Sequence, residues 1–139
     1  MSGSPGAGMS APHLSVFLPG RLKNPLNQRW HWTKRAAWAK EWRSKTALLV
    51  GAQRATLLGR GYRTFASNFA ATPKDVQFLG HVWSLFDDDG LRAALKPCLD
   101  GLIDARMLHS DAPSSGHSVD YRQTVNRKTP GVTVRIALA

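Results

Sequence analysis

Apolar residues along the chain switch between a period of two and a period near 3.6, and the switches divide it into elements. Leu14, Val16 and Leu18 alternate with Ser15 and Phe17, a strand closed by Pro19-Gly20. From about Arg29 to Leu58 one long helix is expected. Trp38, Trp42 and Leu49 fall near one stripe, Lys34 and Lys45 lie off it, and Gly51 is a candidate interruption. VQFLGHVWSLF, residues 76–86, is apolar in both phases, which predicts a central strand covered on each side. Beyond it Leu91, Leu95, Cys98, Leu102 and Ala105, widened by Leu99 and Ile103, mark a second helix with Asp89 as its candidate N-cap. Pro97 inside that helix predicts a kink or a later start. SVDYRQTV and GVTVRIAL read as two strands joined across NRKTP as a hairpin, with Val132, Val134, Ile136 and Leu138 facing in and Thr133 and Arg135 out.

The rest is connection. MSGSPGAGMSAP, residues 1–12, has the composition of a disordered tail; 21–28 is a basic loop; 59–75 is a loop or irregular hairpin carrying Arg60 and Arg63. The fold class expected is therefore α/β (α+β): one domain over residues 13–139, a small mixed sheet of about four strands packed with two main helices.

Composition narrows the class. A 139-residue chain with 42% hydrophobic residues and five tryptophans is large enough for a real core. The single cysteine, Cys98, excludes an intrachain disulfide framework and a cysteine zinc site, and reads as a core residue of the second helix. With no apolar run of 18 residues and no leader pattern, neither a transmembrane span nor a signal peptide is expected, and a cytoplasmic location is. The net charge of +10 makes a polyanion the natural partner. Between Arg21 and Arg60 stand ten Lys or Arg and one acid, Glu41. Arg21, Lys23, Asn27, Arg29, His31, Lys34 and Arg35 are the candidate nucleic-acid contacts of this basic stretch. Asn27 is equally a candidate helix cap, and Trp38 and Trp42 read as core. Trp30, His31 and Trp32 cannot all point inward, so at least one ring is left near the basic loop.

Six of the nine acids lie within residues 86–113. Side chains two apart in an extended chain share a face, which would set the Asp87 and Asp89 carboxylates about 6.5 Å apart. Asp111 follows the helix and would return beside them. Three such carboxylates about 5 Å apart repel by roughly 3 kcal/mol per pair, so a cation or a proton is required. All-oxygen ligands with room for water suit Mg²⁺, with Mn²⁺ as a substitute. The same acids also read as a helix cap that complements the helix dipole, and Lys96 as an ordinary i, i+4 partner of Asp100.

FDDDGLRAALKP resembles the Asp-x-Asp-Asn-Leu pattern with a following lysine that marks the RusA family of Holliday-junction resolvases, of the phage and prophage type. DGLIDA and SDAP are similar to that family's continuation and its Asp-Asp-Ser-Pro turn, and NQRWHWTKRA and YRQ…GVTVRI to its flanks. Gly90 departs from the pattern where asparagine is usual, and Ser110 where an acid is. The resemblance implies a compact homodimer that uses Mg²⁺ to cut opposed strands of a four-way DNA junction. It implies Asp87, Asp89 and Asp111 as metal ligands and Lys96 as the active-site lysine. Two other readings stand beside it: a non-catalytic basic nucleic-acid-binding protein, and an assembly protein that uses the tryptophan-rich helix as an interface.

Overall fold

A computed structural model describes residues 13–59 and 69–138. The tail expected over residues 1–12 and the loop cations Arg60 and Arg63 lie outside the described residues. Four strands and two helices follow in chain order: β1 (His13–Pro19), α1 (Trp32–Gly59), β2 (Lys74–Val82), α2 (Asp88–Asp104), β3 (Ser118–Val125) and β4 (Gly131–Leu138). Short 3₁₀ turns at Phe69–Ala71 and Pro113–Ser115 lead into β2 and β3. This is the small α+β domain expected, a four-stranded mixed sheet with two helices.

The sheet order is β1-β4-β2-β3. β4 runs antiparallel to both its neighbours, β1 and β2, whereas β3 pairs parallel to β2. One face is dry. Leu14, Val16 and Leu18 of β1 register with Ile136, Val134 and Val132 of β4, and these with Val76, Phe78 and Gly80 of β2. Against this face pack Trp42 and Val50 of α1, and Leu91, Ala94, Leu95, Cys98, Leu99 and Leu102 of α2. Thr46 is also fully buried on the α1 stripe, its hydroxyl donating to the Trp42 carbonyl at 2.8 Å. The helices touch closely at Gly101: a Cβ there would lie 2.6 Å from the Arg43 carbonyl oxygen and 2.7 Å from the Thr46 side chain. Burial pushes the Cys98 thiol up to about 11, as its core position implies.

Three expectations need correction. β2 is interior, but it ends at Val82 rather than Phe86, and only its Val76, Phe78, Gly80 and Val82 face is buried; Gln77, Leu79 and His81 stay half-exposed. Both helices pack on the same face and on each other, so neither covers the second one. Next, β3 and β4 form no hairpin: β2 lies between them. The more apolar strand, with Val132, Val134 and Ile136 buried, takes the interior, and the strand carrying Ser118, Asp120, Arg122 and Thr124 on one face takes the edge. Finally, α1 begins at Trp32 rather than Arg29. Residues 28 to 31 have no regular structure, and the His31 ring meets the Thr33 amide (3.3 Å) and hydroxyl (2.9 Å) at the helix entry. α2 runs unbroken from Asp88 through Pro97. Among the described residues no helix is long and apolar enough to cross a membrane.

Candidate nucleic-acid interface and acidic helix start

The basic loop after β1 is pinned from inside. Leu22, Asn24 and Pro25 are buried, the Asn24 carboxamide oxygen accepts from the Leu26 amide (3.0 Å), and Arg35 donates to the Pro25 carbonyl (3.0 Å). With Leu22, Asn24 and Pro25 turned inward, the loop exposes Arg21, Lys23, Leu26 and Asn27. Arg35, exposed and one of the candidate nucleic-acid contacts, thus also holds the loop. Asn27 caps no helix, since α1 starts five residues later.

Opposite this loop, residues 83–87 connect β2 to α2. Their path is set by Gln123 of β3, whose amide grips the Phe86 backbone on both sides: Phe86 N–H donates to Oε1 (2.9 Å) and Nε2 donates to the Phe86 carbonyl (2.8 Å). The next residue, Asp87, is extended (φ −71°, ψ 168°) and caps α2, its Oδ1 accepting from the Gly90 amide at 2.8 Å. The cap is therefore Asp87 and not Asp89, which lies exposed with Asp88 in the first helical turn. Both carboxylates sit where the helix dipole favours them.

Loop and connection enclose a cleft of about 480 Å³ lined by Arg21, Lys23, Asn24, Asn27, Gln28, Trp83 and Asp87, among others. A second hollow of about 380 Å³ shares Arg21 and Lys23 and adds Trp30, Lys34 and Lys45. Trp30 is half-buried against Trp38 (ring centroids 5.6 Å) beneath Lys34, whereas Trp32 is 73% exposed and His31 is exposed beside it, so two rings of the triplet face solvent. Arg29 and His31 are exposed at the mouth of α1.

Of the three aspartates expected to share a metal, Asp87 caps α2 and Asp111 pairs with Lys96. Asp111 is hydrogen-bonded to the Lys96 ammonium, which also donates to Asp100 at 2.9 Å. The Lys96 hydrogen bond holds the Asp111 carboxyl below the usual carboxylate range, and the same bond raises Lys96. Lys96 follows Asp89 by seven residues, about 10 Å of helix rise, and Asp111 is paired with that lysine. Among the described residues no three Asp, Glu, His or Cys side chains gather as a metal-binding group. What lines the cleft is Asp87, with one oxygen engaged by Gly90; Asp88 and then Asp89 follow, exposed, in the first helical turn. In donor type they fit Mg²⁺, which is held by one or two carboxylates, waters and a substrate phosphate.

Gln123, Asn24, Trp83 and Arg127 help build this region and were not singled out from sequence. Gln123 carried a signal: it shares the inward phase of β3 with Val119 and Tyr121, and a polar residue in that phase needs a partner. Asn24 explains Gly90. A Cβ at position 90 would come within 3.0 Å of the Asn24 carboxamide and of the Asp87 carboxylate. No protein-family model matches the chain, and no curated protein sequence matches it.

Proposed function

We propose that the protein is a metal-dependent, structure-specific endonuclease that acts as a homodimer on branched DNA and resolves four-way junctions. The observation that carries this reading is that Asp87 walls the same cleft as Arg21, Lys23, Asn27 and Gln28. A phosphodiester drawn in by the cations would lie against the acidic helix start. Asp87 and Asp89 would hold Mg²⁺, which supplies polarisation of a phosphate oxygen and an activated water. The surrounding chain does the positioning: Gln123 fixes Phe86, the α2 cap fixes Asp87, and the pinned 21–28 loop presents its cations without reading sequence.

The test is incubation with a labelled synthetic four-way junction and a matched duplex, in Mg²⁺ or EDTA, with Asp89→Asn in parallel. Paired nicks confined to the junction, dependent on Mg²⁺ and lost in Asp89→Asn, are expected; undiminished cleavage by that variant would refute the assignment. One observation favours a second reading, a non-catalytic binding protein: Asp87 is occupied as a cap and Asp111 by Lys96. That reading predicts binding indifferent to Mg²⁺, with a strong salt dependence and no cleavage of any branched substrate.

A further inference from the structure

Trp83 leaves the sheet at the end of β2 with 40% of its surface exposed, inside the cleft already described. Two arginines from opposite directions in sequence meet its indole. The Arg21 guanidinium lies 4.5 Å from the ring centroid and that of Arg127 5.8 Å. Arg127 also donates to the Trp83 carbonyl at 3.0 Å, and the Asn126 amide donates to the Val82 carbonyl at 2.9 Å, so the β3–β4 connection is fastened to the backbone at the end of β2. The ion pairs among the described residues join Arg43 to Asp104, Lys96 to Asp100 and Asp111, and Arg122 to Asp120. Neither arginine at Trp83 has a carboxylate partner among them. Two guanidinium charges at one ring, neither of them in an ion pair among the described residues, favour an anion, and a half-exposed indole favours a flat π-system.

One ligand meets both demands. We propose that the Trp83 cleft is a subsite for an unpaired nucleotide of DNA, its base stacked on the Arg21–Trp83 pair and its phosphates held by Arg21 and Arg127. A cleft of about 480 Å³ lies within the roughly 300–1,000 Å³ typical of small-ligand sites. Asn27 and Gln28 on its wall supply amide donors and acceptors for a base edge. A base inside a duplex has both faces stacked and cannot enter, so the subsite selects strands that are open or distorted, as at a branch point. The inference rests on the nucleic-acid reading above and names the feature of the DNA that the cleft accepts.

The experiment is binding in EDTA, where no cleavage intervenes, by fluorescence anisotropy of a labelled single-stranded oligonucleotide and of a four-way junction. Trp83→Ala is expected to weaken both by about 5- to 150-fold, the ordinary worth of one base–aromatic stack, and Trp83→Phe to restore most of the loss. Abasic sites scanned one at a time near the branch should include one that reproduces the loss in the native protein and adds nothing in Trp83→Ala. Arg127→Gln, which keeps Trp83 and removes one guanidinium charge, should weaken binding and lower its salt dependence. A folded Trp83→Ala that binds within twofold of the native protein, or an abasic effect of the same size in both proteins, would overturn the subsite. Base-dependent binding in EDTA without Mg²⁺-dependent cleavage would sustain the subsite and remove the nuclease assignment; cleavage without any Trp83-dependent base effect would do the reverse.

Discussion

Gly90→Ala tests whether the acidic helix start is built as described. Alanine in a first helical turn ordinarily stabilises, by about 1 kcal/mol over glycine. Here the added Cβ would fall within 3.0 Å of the Asn24 Nδ2, 2.7 Å from the Asn24 Cγ, and within 3.0 Å of the Asp87 Oδ1. Asn24 is 7% exposed and bonded to the Leu26 amide, so it moves only by giving up that bond, a loss of about 1 kcal/mol. Asp87 moves only by loosening the α2 cap, about another 1 kcal/mol. Residual overlap costs roughly 1–3 kcal/mol in packed sites. Set against the helical gain, the net is a destabilisation of about 2–4 kcal/mol. Urea denaturation should show a lower midpoint at unchanged slope. In an Asn24→Ala background, where the obstructing carboxamide is gone, the same substitution should cost at least about 1 kcal/mol less. A Gly90→Ala protein as stable as the native one, or an equal cost in both backgrounds, would refute this packing.

Three further outcomes are expected. Gln123→Leu removes both hydrogen bonds to the half-buried Phe86 backbone and should lower stability by about 2 kcal/mol in denaturation, with a larger loss of any Mg²⁺-dependent cleavage than stability explains. Asp111→Asn breaks an exposed ion pair and should cost under about 1 kcal/mol at neutral pH. Because the folded carboxyl titrates below its unfolded value, the pair's contribution is present above the usual carboxylate range and fades as acid titrations descend through the folded value. Lys74 is fully buried, its ammonium on the Phe69 and Thr72 carbonyls, and burial, with Arg54 nearby, pulls it down to about 8. Native and unfolded chains then differ in protonation between about pH 8 and 10, where the unfolded state binds more protons, so stability from Lys74 rises with pH across that window. Lys74→Met should abolish that rise, at most about 3 kcal/mol since the two carbonyls favour the ammonium, and pH-resolved unfolding reads it.

Sequence pattern carried the elements better than their arrangement. β1, both helices, β2 and β4 were legible because each buries one regular stripe: alternate residues in β1 and β4, the Leu91–Leu95–Cys98–Leu102 face in α2. Trp42 as core followed from the same rule. The length of β2 was misread because Trp83 and Leu85 continue its apolar run; their exposure, 40% and 64%, comes from the cleft and not from a second covered sheet face. Of the acids, the position of Asp87 and Asp89 at a strand-to-helix turn was legible, but which one caps was not, since i and i+2 in a turn are separated only by backbone angles. Lys96 with both Asp100 and Asp111 joined two readings that sequence kept apart. Asn24 beside Gly90 was invisible because the contact joins residues 66 apart. It also accounts for the glycine: the Asn24 carboxamide, from the loop after β1, takes the space that a side chain at position 90 would need.

Strand order, the feature hardest to read, decides where these groups meet. β1 and β2 are both antiparallel to β4, and β3 is parallel to β2, so three strands end at one edge of the sheet while β4 begins there. Pro19, His81 and Gly131 stand in register at that edge, with Val82 beside Val125. The chain therefore leaves β1 into the basic loop, leaves β2 into Trp83 and the acids, and passes from β3 to β4 over the end of β2, all at the same place. A β3–β4 hairpin would have carried residues 126–130 away from the end of β2. With β4 inserted between β1 and β2, that connection must cross the end of β2, and Arg127 lands on Trp83. The carboxyl ends of parallel strands are where α/β sheets commonly place their sites, because the loops that follow such strands converge there. In this chain the cations, the indole and the acidic helix start are those loops.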